Sequence, residues 1–135
     1  MQSSAQPAPM PKKTSWAGRI LSGLPALFLL ADSVGKFVRP APVIEGTVQL
    51  GYQESVLIGL GAVLLISTVL YLIPRTAVLG AILLTGYLGG AVATHVRVSD
   101  PLFTHTLFPV YFGIMLWAGL YLRDERLRAL LPLRR

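Results

Sequence analysis

Apolar residues form long, almost uninterrupted runs along this chain, and short polar segments separate the runs. Runs of about 20 apolar residues without periodic polar positions are typical of helices that cross a membrane. We predict four such helices, at about residues 16–35, 55–73, 76–95 and 105–122. The pattern therefore indicates an all-α integral membrane protein that folds as a four-helix bundle.

Only Pro74 and Arg75 separate the second run from the third. The residue before a proline disfavours the helical conformation, so the second helix should end there. A single unbroken helix would instead hold Arg75 near the bilayer centre, where a charged side chain is costly. We therefore predict a tight transmembrane hairpin.

The first run has an uncharged core of only twelve residues, Ile20 to Ala31, and basic residues precede it. This pattern also resembles a secretory signal peptide. We favour a membrane span, because Arg19 and Lys36 can extend their charged ends toward the two interfaces and lengthen the span. Pro25 removes a backbone donor and should bend this helix near its middle.

The segments outside the spans differ in character. Residues 1–15 are small, polar and proline-rich, which predicts a disordered tail before a bundle of residues 16–122. Residues 37–54 form the longest connection, which is either an interfacial or re-entrant helix or an ordinary outer loop. The basic tail of residues 123–135 is either a short amphipathic helix on the membrane surface or a solvated segment.

The net charge of +6 is informative because of where the basic residues lie along the chain. Basic residues lie at the chain ends and beside the apolar runs, without interleaved aromatic residues. Anionic lipid head groups are therefore the expected counter-charge, and nucleic acid is not an expected partner. The chain has no cysteine, which excludes disulfides and cysteine-ligated metal centres.

Ionisable residues from all four predicted helices converge at one end of the bundle. Two interpretations remain open. These ionisable residues cap helix ends, or they form a polar pocket for the head group of a small amphiphile such as a quinone. This candidate polar pocket comprises Asp32, Lys36, Glu54, His95, Arg97, Asp100 and His105.

Small residues recur on the third predicted helix at Gly86, Gly89, Gly90 and Thr94. Such spacing lets helix backbones approach closely, so we predict that these residues pack against another helix of the bundle. Dimerisation and a gap for a ligand are the alternatives. No spacing indicates a metal site or a catalytic residue set, and two histidines ten residues apart do not resemble a haem site.

Several segments, in the order of the four spans, resemble the DoxX-like membrane proteins. They are WAGR at 16–19, DSVGKF at 32–37, LGY at 50–52, IPRT at 73–76, AILLTGYLGGAVATHVR at 81–97 and the final LFPV…WAGLYLRD. The resemblance implies a small four-helix protein of the bacterial cytoplasmic (inner) membrane. The founding member is similar to a subunit of a thiosulfate:quinone oxidoreductase complex, and other relatives are linked to oxidant resistance. No catalytic motif is carried over.

The resemblance favours a non-catalytic subunit or accessory protein linked to quinone, redox or oxidative-stress functions. A binding protein or carrier for a lipophilic molecule such as a quinone is the first alternative, and a quinone-dependent oxidoreductase is the second. The expected partners are the lipid bilayer, a membrane or redox protein, and further copies of the chain. A quinone or similar lipid is the candidate ligand, and no cofactor or metal is assigned.

The distribution of lysine and arginine predicts the orientation. Nine basic residues belong to the two chain ends and the 74–75 turn, against three on the other side. Because basic residues accumulate on the cytoplasmic side, both termini should be cytoplasmic.

Reporter fusions after Arg135 and within residues 39–50 should report cytoplasm and periplasm respectively. A periplasmic reporter after Arg135 would contradict the four-span topology.

Overall fold

A computed structural model describes residues 12–130, with α-helices and short helical turns throughout and no strand in that range. The predicted tail up to residue 11 and residues 131–135 lie outside this range. The helices are α1 (Lys12–Val38), α2 (Ala41–Gln49), α3 (Leu57–Leu72), α4 (Ala77–Arg97), α5 (Phe108–Arg123) and α6 (Glu125–Leu130).

Four of these helices are long and apolar enough to cross a membrane, which confirms the predicted fold. With their adjoining turns they cover Ser15–Val38, Glu54–Leu72, Pro74–Arg97 and Leu102–Arg123. The first helix begins at Lys12, inside the segment predicted as a tail. Pro25 lies inside that helix and is fully buried.

The four long helices form a closed ring of neighbours. α1 packs against α3 and α5, and α4 packs against the same two helices from the other side. α1 and α4 are therefore diagonally opposite. A space between α1 and α4 therefore lies on the axis of the bundle.

The hairpin between α3 and α4 forms where it was predicted. α3 ends at Leu72, Ile73 is extended, and a turn over Pro74–Thr76 leads into α4. The Thr76 hydroxyl donates to the Leu70 carbonyl at 2.8 Å, which satisfies one of the acceptors left free at the end of α3.

The connections that sequence left open are helical in part. α2 occupies residues 41–49 of the long connection, so a helix and not an ordinary loop forms there. None of the residues of α2 is buried. α6 docks against the bundle: Leu127 is buried in the core, and the Arg126 guanidinium donates to the Pro74 carbonyl at 3.0 Å. That an apolar face of either helix rests on the membrane surface stays a prediction.

A buried polar network joins three helices at the α6 end of the bundle. The Tyr71 hydroxyl donates to the Leu116 carbonyl at 2.6 Å and lies 2.9 Å from the Ser22 hydroxyl oxygen. The Arg123 guanidinium donates to the Ser22 hydroxyl at 3.0 Å and to the Tyr71 carbonyl at 3.3 Å. Polar groups inside a membrane protein need such partners, because lipid offers none.

Glycines make the closest helix contacts, but not the glycines selected from the sequence. A β-carbon on Gly80 would collide with the Tyr71 backbone, and one on Gly119 would lie 2.9 Å from the Gly18 carbonyl. A β-carbon on Gly86, Gly89 or Gly90 would meet nothing within 4 Å. The close contacts thus lie nearer the hairpin. The prediction that Gly86, Gly89 and Gly90 pack against another helix of the bundle is wrong for these three glycines.

This difference predicts opposite effects for matched substitutions on one helix. Gly80→Ala should lower the unfolding free energy by about 1–3 kcal/mol, because the new methyl group forces α3 and α4 apart. Gly86→Ala should be neutral or stabilising by up to about 1 kcal/mol, since alanine favours the helix. Thermal unfolding in detergent, followed by circular dichroism, measures both. Equal melting of the two variants would contradict the assigned contact.

Candidate functional site

A cavity of about 490 Å³ occupies the bundle at the end opposite the Tyr71 network. Side chains of α1, α4 and α5 form most of its wall, with Leu60 contributed by α3. The loop of residues 50–52 and Thr47 of α2 close it at the end of the bundle. We refer to this space as the axial cavity.

The axial cavity collects part of the predicted polar pocket. Asp32, Lys36 and His95 line it, and so do three of the four small residues, Gly86, Gly90 and Thr94. The remaining predicted residues lie outside its wall: Glu54, Gly89, Arg97, Asp100 and His105.

Asp32 and Lys36 form an ion pair within α1. The Lys36 ammonium lies 2.6 Å from the Asp32 carboxylate, as the spacing of four residues allows. The Lys36 side chain is 15% exposed and the Asp32 side chain 40%. The carboxylate is therefore the more exposed member of the pair, and both residues line the cavity.

His95 is oriented by Asp100, which follows the end of α4. The Nδ1 atom of His95 lies 2.6 Å from the Asp100 carboxylate. Asp100 thus acts behind the cavity wall instead of lining it. The His105 ring lies 6.1 Å from the His95 ring, centre to centre, and its Nδ1 atom is hydrogen-bonded to the Thr104 hydroxyl.

Two of the predicted residues make contacts beside the cavity instead of lining it. The Arg97 guanidinium donates to the Leu50 carbonyl at 2.7 Å, which fastens the loop of residues 50–52 to α4. Glu54 lies 4.0 Å from Arg39, and both side chains are about half exposed. An exposed pair at that distance contributes little to stability.

Several residues of the wall were not foreseen from the sequence. The Tyr52 hydroxyl is 2.7 Å from the Thr94 hydroxyl, which itself donates to the Gly90 carbonyl, so Tyr52 is the donor of the pair. Tyr87 also lines the cavity. The contact between Tyr52 and Thr94 joins residues 42 positions apart, and no local spacing signals it.

Three phenylalanines form an aromatic wall between α1 and α5. The Phe28 and Phe112 rings meet edge to face at 4.9 Å, and Phe108 lies 4.9 Å from Phe112. Edge-to-face contacts are a favourable arrangement for aromatic rings. This wall gives the cavity an apolar side in addition to its ion pair.

The glycines of α4 explain why the cavity exists. Gly86 and Gly90 line it, and no atom would touch a β-carbon at either position. Larger side chains there would fill the axis of the bundle. Gly89 faces elsewhere, onto an apolar groove of about 360 Å³ between α4 and α5.

Comparison with known proteins identifies a family. A sequence model of the DoxX-like family matches residues 20–119, which is more than two thirds of the chain and reaches into all four spans. Neither the curated proteins nor the solved structures give a match. Within residues 12–130, no group of three or more His, Cys, Asp or Glu residues is placed to hold a metal ion.

The ion pair predicts a stability effect. Asp32→Asn should lower the unfolding free energy by about 1–3 kcal/mol, because the mostly buried Lys36 ammonium loses the negative charge that balances it and keeps only a neutral amide oxygen as acceptor at that position. Replacing both residues, Asp32→Asn with Lys36→Met, should restore much of the loss. Thermal unfolding in detergent measures these changes.

Glu54→Gln is the control, because its exposed pair with Arg39 should be worth less than about 1 kcal/mol. If Asp32→Asn melts like the wild type, both members of the ion pair are fully solvated and the polar side of the cavity is not built as described.

Proposed function

The chain belongs to the DoxX-like family, and we propose that it binds a small amphiphilic molecule, such as a quinone or a similar lipid, in the axial cavity. The observation that carries this proposal is the cavity itself, which has an aromatic side and a polar end inside a membrane bundle. We propose a binding role without catalysis by this chain.

The size of the cavity supports the proposal. Pockets for small molecules generally measure about 300–1,000 Å³. The axial cavity, at about 490 Å³, is within that range. It accommodates a ring-sized head group and the first part of a hydrocarbon chain.

The order of residues along α4 gives the proposed ligand a direction. Gly86 and His95 both line the cavity and lie nine positions apart, about 13 Å along a helix. The polar groups cluster near His95, at the helix end, and the apolar wall continues toward Gly86. The head group should therefore bind at the His95 end, and the tail should extend along the glycines.

Access to the cavity is controlled by few contacts. The loop of residues 50–52 is fastened to α4 by the Arg97–Leu50 and Tyr52–Thr94 hydrogen bonds. α2, which precedes this loop, buries none of its residues. Opening at this end thus requires the loss of little buried surface, which suits a molecule that enters and leaves.

The proposed binding role is compatible with the accessory-subunit function expected from the sequence. A subunit that holds a quinone beside a redox partner and a carrier that delivers a lipophilic molecule would use the same cavity. The predicted orientation, with both termini cytoplasmic, would put the polar end of the cavity at the outer side of the inner membrane. The absence of cysteine excludes thiol redox chemistry in this chain.

The test uses two substitutions that differ only in the direction they face. Gly90→Leu should fill the axial cavity, whereas Gly89→Leu places the same side chain in the groove between α4 and α5. Decylubiquinone should raise the melting temperature of the wild type and of Gly89→Leu. A ligand at one hundred times its Kd stabilises a protein by about 2.7 kcal/mol, and Gly90→Leu should lose this stabilisation.

Mass spectrometry of lipids that copurify with each variant gives an independent measurement. The wild type and Gly89→Leu should retain a bound amphiphile that Gly90→Leu lacks. If all three proteins carry the same background lipids and none is stabilised by decylubiquinone, the axial cavity is not a binding site.

A further inference from the structure

We infer that the axial cavity binds molecules with a hydroxyl group on an aromatic ring, which means phenols and hydroquinones, more tightly than molecules of the same shape that offer only carbonyl or ether oxygens. Among quinones, the reduced form should therefore bind more tightly than the oxidised form, which still binds. This inference rests on the proposed binding function and specifies its ligand class. It follows from which polar atoms remain free at the cavity wall.

Asp32 presents an acceptor to the ligand. Lys36 occupies one carboxylate oxygen and is itself mostly buried, while the Asp32 side chain is 40% exposed. The remaining carboxylate oxygen can only accept hydrogen bonds. Because Lys36 already balances the negative charge, the cavity calls for a neutral donor such as a hydroxyl group and not for a cation.

His95 presents a second acceptor. Its Nδ1 atom faces the Asp100 carboxylate at 2.6 Å, and a carboxylate accepts, so the proton belongs on Nδ1. In a neutral imidazole the other nitrogen, Nε2, is then the acceptor. Asp100 is a positioning residue here, because it fixes the tautomer of His95 from behind the cavity wall.

Most of the other polar groups do not oppose this selection, and Lys36, whose side chain is only 15% exposed, directs its ammonium group to Asp32. The Tyr52 and Thr94 hydroxyl protons are already engaged, in bonds to Thr94 and to the Gly90 carbonyl respectively. The Tyr87 hydroxyl has no hydrogen bond to any described residue, and it can either donate or accept.

The aromatic wall identifies the body of the ligand. Phe28, Phe108 and Phe112 already pack edge to face or tilted at 4.9–6.1 Å, and a further ring can join such a cluster favourably. An aromatic ring with a hydroxyl group satisfies the wall and the two acceptors together.

The experiment compares para-nonylphenol with its methyl ether, which has the same apolar body but no hydroxyl donor. Binding to purified wild-type protein is measured by calorimetry at about pH 8, where the phenol keeps its proton. The phenol should bind at least about tenfold more tightly, as expected for a hydrogen bond to a charged acceptor.

Matched substitutions locate the acceptors. His95→Phe keeps a ring but removes Nε2, so it should lower the affinity for the phenol about tenfold and leave that for the ether unchanged. His105→Phe, at the neighbouring histidine outside the cavity, should change neither. Asp32→Asn should also reduce the preference for the phenol, and it serves as the second variant should His95→Phe fail to fold.

The outcomes separate this inference from the proposed function. Equal binding of both probes, or tighter binding of the ether, overturns the selection for hydroxyl donors while decylubiquinone stabilisation still supports the binding site. A loss of both probes in His95→Phe assigns that residue a structural role and overturns its place as an acceptor. If no probe and no decylubiquinone binds to the wild type, the proposed function itself fails.

Discussion

The Tyr71 hydroxyl lies fully buried where α1, α3 and α5 meet, and its hydrogen bonds set how closely these helices approach. A polar group in this position has no lipid or water partner, so Ser22, the Leu116 carbonyl and Arg123 must stay within reach of one another. Gly18 and Gly119 make that possible, because their backbones nearly touch. One end of the bundle is thereby closed and rigid.

At the other end of the bundle the helices leave a cavity instead of packing closely. The hairpin and Gly80 hold α4 tightly against α3 near residue 77, but further along α4 the glycines face the axis and leave it empty. The polar groups of α1 and α4 line this space without bridging it. A single bundle thus combines a fixed base with an accessible, partly polar chamber.

The sequence predicted the four spans, the hairpin at Pro74 and the polar end of the bundle, because apolar runs, proline and charge act through neighbours in the chain. It did not predict which glycines touch a helix. Gly80 and Gly86 both lie among apolar residues of the same helix, and the sequence does not distinguish them. Only the positions of the other helices decide that Gly80 contacts the backbone of α3 while Gly86 contacts no other helix. For the same reason Tyr52 and the phenylalanine wall went unnoticed, while Arg97 and Glu54 were assigned to a pocket that they border but do not line.

The polar pairs at the two ends differ in how many parts of the chain they involve. Asp32 pairs with Lys36 inside α1, and His95 pairs with Asp100 five residues away, whereas the Tyr71 network needs side chains from three helices. In the evolution of related chains, each cavity pair can change by substitutions within one short segment. Ser22, Tyr71 and Arg123 must instead change together, so we expect strong covariation among those three positions and independent divergence of the two cavity pairs.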